Sequence, residues 1–306
     1  MKTVFLNSFF DNTDENGMTN REKISKNQKI IRRVATTDKN KSYEEADGKS
    51  DGVVVVDGKV VGFGIHIFND DIYPLQSFEI YLRNCDLVGE LDLTECSDML
   101  FVDVYHNRIG SVNVSGLRNL RILGLQDNRI GALYLDDLES VLGIDAGKNR
   151  LKSVDVSKNV HLVELYVNDN DLSELDLSNN SDLKYFYCHN NRITALDTTN
   201  NPLLRHLNAT GNPMTEIKCY APQREELLPL ELRATCGGHV GLKFNPIYNA
   251  QWKETGEWEQ VYYAYPCEGY KFAGWRNADG DIISNEAVWT DKYGESRVLT
   301  AVFERE

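Results

Sequence analysis

The sequence predicts a β-rich α/β solenoid: a right-handed horseshoe of about seven stacked 21-residue coils, with an N-terminal cap region and a small C-terminal β-rich module. Three observations lead to this fold class. An asparagine returns every 21 residues, apolar residues keep fixed distances from it, and the chain on both flanks changes to alternating β-branched or aromatic patterns. One such copy would be a weak signal, whereas seven copies in phase are specific.

A polar row anchors the repeat. An asparagine side chain has two donor hydrogens and an acceptor oxygen. At an inward turn it can therefore pair with backbone groups of adjacent coils that would otherwise be buried without partners. We expect a structural ladder whose members are Cys85, Asn107, Asn128, Asn149, Asn170, Asn191 and Asn212.

An apolar step precedes each anchor. Apolar residues stand five and three positions before it, as Phe186 and Cys188 do before Asn191. The step predicts a short strand whose alternate side chains point into the solenoid, so that one coil cannot bury its apolar face without neighbours. Cys188 is thus predicted to be a core residue. Strand alternation directs its neighbour His189 to the opposite face, which argues against a Cys-His site there.

The pattern resembles the leucine-rich-repeat signature LxxLxLxxN/CxL over roughly residues 77 to 220. The tail, roughly residues 237 to 306, is similar to the internalin B-repeat type of β-rich module. That similarity rests on the segment from Gly269 to Trp275 and on the final strand from Leu299 to Phe303. The pairing resembles bacterial secreted or surface-anchored proteins of the internalin-like sort. The resemblance implies an extracellular or cell-surface setting and a protein or carbohydrate ligand.

The repeat also sets the expected domain boundaries. We predict a cap region over residues 1–76, with a helical start followed by a β-hairpin, the solenoid over 77–222 and the B-repeat-like module over 223–306. Two β-branched runs around Asp57-Gly58 predict the hairpin, because this dipeptide favours a type I′ turn. A cap is needed since the first coil would otherwise expose its core.

The outward strand positions are not dictated by the fold and form the concave sheet that solenoids use for recognition. Aromatic residues there flank a glycine-rich centre lined by acids, which predicts an exposed trough. Tyrosine offers a large contact area with little entropy loss. We therefore predict ligand binding at Tyr81, Phe101, Asp103, Tyr105, Asp145, Glu164, Tyr166, Tyr185, Tyr187, His189 and His206. The alternative is that these aromatics only stabilise the sheet by cross-strand pairing.

Charge and motifs narrow the function class. The net charge of −14 disfavours nucleic acid and anionic lipid, and no apolar run is long enough for a membrane helix. The opening segment is a poor signal peptide, because Asn7 and Ser8 interrupt its apolar patch. HExxH and GxSxG are absent, which argues against an enzyme. We predict a non-catalytic recognition protein without a cofactor, and we expect it to be a monomer. The alternatives are a structural or adhesive spacer, and an enzyme that acts on glycosides with concave-face carboxylates.

The six cysteines are far apart and form no CxxC, so zinc-ribbon and thioredoxin-like sites are not predicted. Whether Cys236 and Cys267 pair is left open.

One segment near the start resembles a calcium-binding EF-hand loop. It places Asn12, Asp14, Asn16 and Gly17 at loop positions 1, 3, 5 and 6, but Lys23 stands at position 12, where a bidentate glutamate is needed. A polar turn that starts a helix is the interpretation we favour, with calcium as the alternative.

Overall fold

The computed structural model describes residues 11–20, 22–23, 53–56, 59–63, 84–94, 97, 99–223, 226–248, 254–291 and 298–306. The chain divides into two compact units, Met1–Leu151 and Lys152–Glu306. Strands and turns make up the described residues, apart from a helical turn that begins after Thr19. In this part of the chain, no helix has the length and apolar character needed to cross a membrane.

In the described part of the first unit the strands are β1 (Val53–Val56), β2 (Lys59–Phe63), β3 (Val88–Asp92), β4 (Phe101–Asp103), β5 (Arg108–Asn113), β6 (Ile122–Gly124) and β7 (Gly143–Asp145). One sheet has the order β1-β2-β4-β6-β7, and β3 pairs with β5 in another. The strands β4, β6 and β7 are parallel, so that Leu123 lies between Val102 and Ile144. All three side chains are fully buried, as the apolar step predicts.

A hairpin extends this sheet at the N-terminal side. β1 and β2 are antiparallel, and β2 runs parallel to β4 with Phe63 beside Val102. The hairpin thus covers a sheet edge that would otherwise be open. The sequence instead predicts that the strand of the first repeat, at residues 79–83, lies beside β4. Those residues, and the Asp57-Gly58 turn, lie outside the described part of the chain.

A residue with left-handed backbone precedes each anchor. Its φ is between 50° and 57° at the non-glycine positions and 66° at the glycine. The row consists of Asn84, His106, Asp127, Lys148, Asp169, Asn190 and Gly211. Asparagine and aspartate tolerate this conformation better than most side chains, and glycine adopts it freely. The turn brings the next residue, the anchor, inward.

The anchor side chains bridge adjacent coils. Asn191 Oδ1 accepts a hydrogen bond from the Leu172 N–H at 3.0 Å, and its Nδ2 donates to the carbonyl oxygens of Val167 at 2.9 Å and Cys188 at 3.0 Å. Donation from Nδ2 to the carbonyl three residues earlier recurs at Asn107, Asn128, Asn149, Asn170 and Asn212. Cys85, in the first copy, is buried.

In the described part of the second unit the strands are β8 (Glu164–Tyr166), β9 (Tyr185–Tyr187), β10 (Ala195–Asp197), β11 (His206–Asn208), β12 (Glu216–Gln223), β13 (Glu226–Ala234), β14 (Gly238–Tyr248), β15 (Glu254–Pro266), β16 (Tyr270–Arg276), β17 (Ile282–Ser284), β18 (Val288–Asp291) and β19 (Val298–Arg305). Within the unit they form two sheets, β8-β9-β11-β14-β15-β18 and β10-β12-β13-β19-β16-β17. The coil strands β8, β9 and β11 are parallel.

The C-terminal strands continue both sheets of the coils. β14 pairs antiparallel with β11, with Phe244 beside Leu207, and β13 pairs antiparallel with β12, with Leu232 beside Ile217. These four side chains are buried. The last coil is therefore closed by residues of the predicted C-terminal module. The similarity of that module to the B-repeat type stays a prediction.

The predicted fold class is confirmed as a β-solenoid. Strands at the 21-residue spacing define about six coils in the described residues, and none of these coils contains a helix. The α part of the predicted α/β class therefore has no counterpart in the described coils, because short strands and the turns between them use up each 21-residue repeat.

Candidate ligand-binding site on the repeat strands

In the first unit, three residues form a buried polar cluster on the outward side of the repeat strands: Asp103, Tyr105 and Asp145. Asp103, Gly124 and Asp145 occupy one register row across β4, β6 and β7. Because Gly124 has no side chain, Tyr105 can cross β6 and donate its hydroxyl hydrogen bond to Asp145 Oδ2. Asp145 Oδ1 accepts from the Gly147 N–H at 3.0 Å, and Asp103 Oδ1 accepts from the Tyr105 N–H at 3.2 Å.

This cluster differs from the exposed trough that the sequence predicts. The exposed fractions of Asp103, Tyr105 and Asp145 are 0%, 6% and 4%. The physical reason is that the Asp103 carboxyl group lies beside Gly124, and both carboxylates accept hydrogen bonds from backbone N–H groups. Phe101 is half-buried, and Tyr81 lies outside the described residues.

Burial raises the pKa of Asp145 to about 6, because the ionised carboxylate is poorly solvated there. The hydrogen bonds from Tyr105 and Gly147 act in the opposite direction. The charge of Asp103 raises the pKa further, and that of His106 lowers it.

We expect Asp145→Asn to stabilise the protein in a pH-dependent way. In the unfolded chain the carboxyl titrates near pH 3.8, so between pH 4 and 6 the folded state binds more protons and wild-type stability falls as pH rises. The asparagine variant lacks this loss. Its advantage in free energy of unfolding should therefore grow by up to about 3 kcal/mol from pH 4 to pH 7, measured by urea unfolding. An advantage that is constant or shrinks with pH would contradict this account.

In the second unit, five rings form an aromatic cluster: Tyr166, Tyr185, Tyr187, His189 and His206. Tyr166 meets Tyr187 edge to face with ring centroids 5.1 Å apart, and Tyr185 stacks on His206 at 4.4 Å. His189 contacts Tyr187 at 6.3 Å. The contacts follow from the register, because Tyr166 lies beside Tyr187 across β8 and β9, and Tyr185 beside His206 across β9 and β11.

Exposure within this part of the sheet is graded. The three tyrosines and His189 are half-buried, whereas His206 and the neighbouring Glu164 are buried, at 8% and 1% exposure. The prediction that Glu164 and His206 face solvent is therefore wrong. The stacked Tyr185 ring covers His206, and the Tyr166 hydroxyl lies 3.4 Å from Glu164 Oε2.

Burial also lowers the pKa of His206 to about 4, with a smaller contribution from the positive charge of Arg205. The imidazole is thus neutral at physiological pH and stacks as an uncharged ring. His189 Nε2 lies 3.8 Å from Asp169 Oδ2.

The calcium-like segment is a capped helix start. The Thr19 N–H donates to Glu22 Oε2 at 2.9 Å, and the Glu22 N–H donates to Thr19 Oγ1 at 3.2 Å, which is a capping box. Lys23 Nζ lies 3.1 Å from Asp14 Oδ2 and donates to the Asp86 carbonyl oxygen at 2.6 Å. The Lys23 ammonium and the Arg108 guanidinium, whose Nη2 lies 3.5 Å from Asp14 Oδ2, are therefore cations that face Asp14.

The same contacts favour the ionised form of the Asp14 carboxyl group. The Met18 N–H and the Lys23 ammonium lower the pKa of Asp14 to about 2. Among the described residues, no group of three or more His, Cys, Asp or Glu side chains is arranged to hold a metal ion.

Cys188 is a core residue, as strand parity predicts, and so is Cys219. Both are buried to 1% exposure or less. Burial raises the pKa of the Cys188 thiol above its usual range and that of Cys219 to about 12. Neither thiol is therefore available as a thiolate nucleophile.

No protein-family model and no curated protein matches this chain. Among solved structures, a leucine-rich-repeat protein of Leptospira interrogans is similar with 24% identity and a TM-score of 0.38, over 42% of this chain and 35% of that one. The functional domain of InlJ from Listeria monocytogenes, described as including a cysteine ladder, is similar with 13% identity and a TM-score of 0.42, over 73% and 65%. An internalin, InlF, from Listeria monocytogenes is similar with 22% identity and a TM-score of 0.36, over 42% and 43%.

The matched regions span less than two thirds of each of these solved chains. All three are bacterial leucine-rich-repeat proteins. The chain's own coils have the asparagine ladder and the buried apolar step that the repeat pattern predicts.

Proposed function

We propose that this chain is a non-catalytic recognition protein that binds a protein or carbohydrate ligand on the outward face of its repeat strands. The observation that carries the proposal is the aromatic cluster of the second unit. Four of its rings are half-buried: Tyr166, Tyr187 and His189 are fixed by contacts with one another, and Tyr185 is fixed by its stack on His206. Their remaining exposed area is therefore available without a large loss of side-chain entropy on binding.

The chemistry of the cluster suits sugar rings and apolar protein side chains. Tyrosine combines a flat apolar face with a polar hydroxyl, and such residues dominate binding hot spots. Parallel register places Tyr185 and Tyr187 on the same strand face as Tyr166, so one ligand can contact all three. We expect the ligand to contact chiefly these three tyrosines. In the first unit, Phe101 is also half-buried.

The setting that accompanies this proposal is extracellular or at a cell surface. The net charge of −14 keeps the average surface unfavourable for nucleic acid and anionic lipid.

A structural or adhesive spacer is the second candidate function. It is favoured by the same ring contacts, since rings that pack on one another also stabilise a sheet without any ligand.

The proposal is tested by screening the purified chain against glycan and protein arrays beside the double variant Tyr166→Ala/Tyr187→Ala. For any ligand found with the wild type, we expect the variant to bind at least about 30-fold more weakly, as loss of a hot spot implies. Tyr105 is left unchanged because it is buried and hydrogen-bonded to Asp145.

Tyr134→Ala is the matched control, because Tyr134 is 78% exposed and lies outside the cluster. Its binding should equal that of the wild type. Equal binding by the double variant would contradict the proposed site, and a wild type without any ligand would favour the spacer. Glycoside turnover that is abolished by Asp145→Asn would instead establish the enzyme alternative.

A further inference from the structure

A thiol and an imidazole lie close together at the open end of the β14–β15 hairpin, where β14 begins and β15 ends. This place is away from the aromatic cluster. Cys267 Sγ lies 3.5 Å from His239 Nε2. The register explains the contact: His239 lies opposite Tyr265, and Cys267 follows two residues later on the same face. The Cys267 N–H donates to the Gly237 carbonyl oxygen at 2.9 Å, which fixes the cysteine backbone beside β14.

The surroundings leave this pair accessible. Cys267 and His239 are both half-buried, unlike Cys85, Cys188 and Cys219 in the core. His239 Nδ1 is buried and has no hydrogen-bond partner among the described residues. The other nitrogen, Nε2, is the one that faces the sulfur, and an imidazole nitrogen in that place can accept the thiol proton.

We propose that Cys267 is a reactive thiol, activated by His239, that undergoes thiol–disulfide exchange with disulfide-bearing molecules. The Cys267 proton passes to His239 Nε2, and the thiolate attacks one sulfur of a disulfide. The S–S bond of that molecule breaks as a mixed disulfide to Cys267 forms. The departing thiolate takes the proton from the imidazolium, so a neutral thiol leaves and no net oxidation occurs.

The second cysteine of this region supplies an internal reference. Cys236 is exposed, so accessibility favours its reaction. Accessibility alone therefore predicts that Cys236 reacts faster than Cys267. Activation by His239 predicts the opposite order.

The test uses the full chain and an uncharged aromatic disulfide, dithiodipyridine, whose released thione is followed by absorbance. All variants carry Cys96→Ser, since Cys96 lies outside the described residues. Adding Cys236→Ser isolates Cys267, and adding Cys267→Ser isolates Cys236. The core cysteines should stay silent until denaturant is added. Peptide mass mapping then assigns each modified thiol.

We expect Cys267 to react at least about ten-fold faster than Cys236, and His239→Gln to remove most of that advantage. The same substitution should leave the Cys236 rate unchanged, and silent core cysteines show that the fold is intact. Slower reaction of Cys267 than of Cys236 would overturn the proposal without any histidine variant. So would a Cys267 rate that His239→Gln does not change.

Discussion

Asn191→Ala is expected to lower the free energy of unfolding by about 4 kcal/mol. The Asn191 side chain pairs with the Leu172 N–H and with the Val167 and Cys188 carbonyl oxygens. Leu172, Val167 and Cys188 are fully buried, and each buried polar group left without a partner costs about 1–3 kcal/mol. Urea unfolding followed by circular dichroism measures the loss.

Two further substitutions separate the ladder from general effects of losing an asparagine. Asn200 is exposed, so Asn200→Ala should change stability by no more than about 0.5 kcal/mol. Asn191→Cys should lose less than the alanine variant, because a thiol is a weak donor and Cys85 takes this place in the first copy. If Asn191→Ala lost no more stability than Asn200→Ala, the ladder would not stabilise the coils.

The repeat core could be predicted from the sequence because its signal is redundant. Val102, Leu123 and Ile144 hold equivalent positions, and the structure pairs them side by side in the core. A solenoid needs the same residue type at the same position in each coil, so each repeat copy independently predicts the same core position.

A second asparagine row was missed, although the sequence contains it. Asn159, Asn180 and Asn201 recur every 21 residues and are buried to 1% exposure or less. Asn180 Nδ2 donates to the carbonyl oxygens of Val156 at 3.0 Å and Asn159 at 2.9 Å, and Asn201 repeats this with Leu177 and Asn180. The row occurs only in the later copies, where it replaces leucine. A search for positions shared by all copies therefore does not find it.

The accessibility of the outward face could not be derived from strand parity. Parity assigns Tyr105, Asp145 and His206 to the outward side, yet all three are buried. Whether an outward side chain is exposed depends on its neighbours in other coils: Tyr105 donates a hydrogen bond to Asp145, and Tyr185 stacks on His206. These contacts join residues more than 20 positions apart, and they depend on side-chain length and ring orientation, which the period does not encode.

Trp275→Ala is expected to lower the free energy of unfolding of the C-terminal strands by about 4 kcal/mol. Trp275 is fully buried in β16, where its ring contacts Phe272 at 5.7 Å and Tyr262 at 6.0 Å. Its Nε1 donates a hydrogen bond to the Glu286 carbonyl oxygen at 3.1 Å. Trp275→Phe keeps an apolar ring and should lose less, whereas Trp258, which is half-buried, should tolerate alanine better.

The same variant tests whether the C-terminal strands fold separately from the coils. β16 belongs to the sheet that contains β10 and β12 of the repeats, and a solenoid end loses stability when its cap is weakened. We therefore expect Trp275→Ala to expose the buried thiols of Cys188 and Cys219 to a maleimide reagent at a lower urea concentration than in the wild type. Unchanged protection of these thiols, with the tail already unfolded, would show that residues 223–306 form the independent module that the sequence predicts.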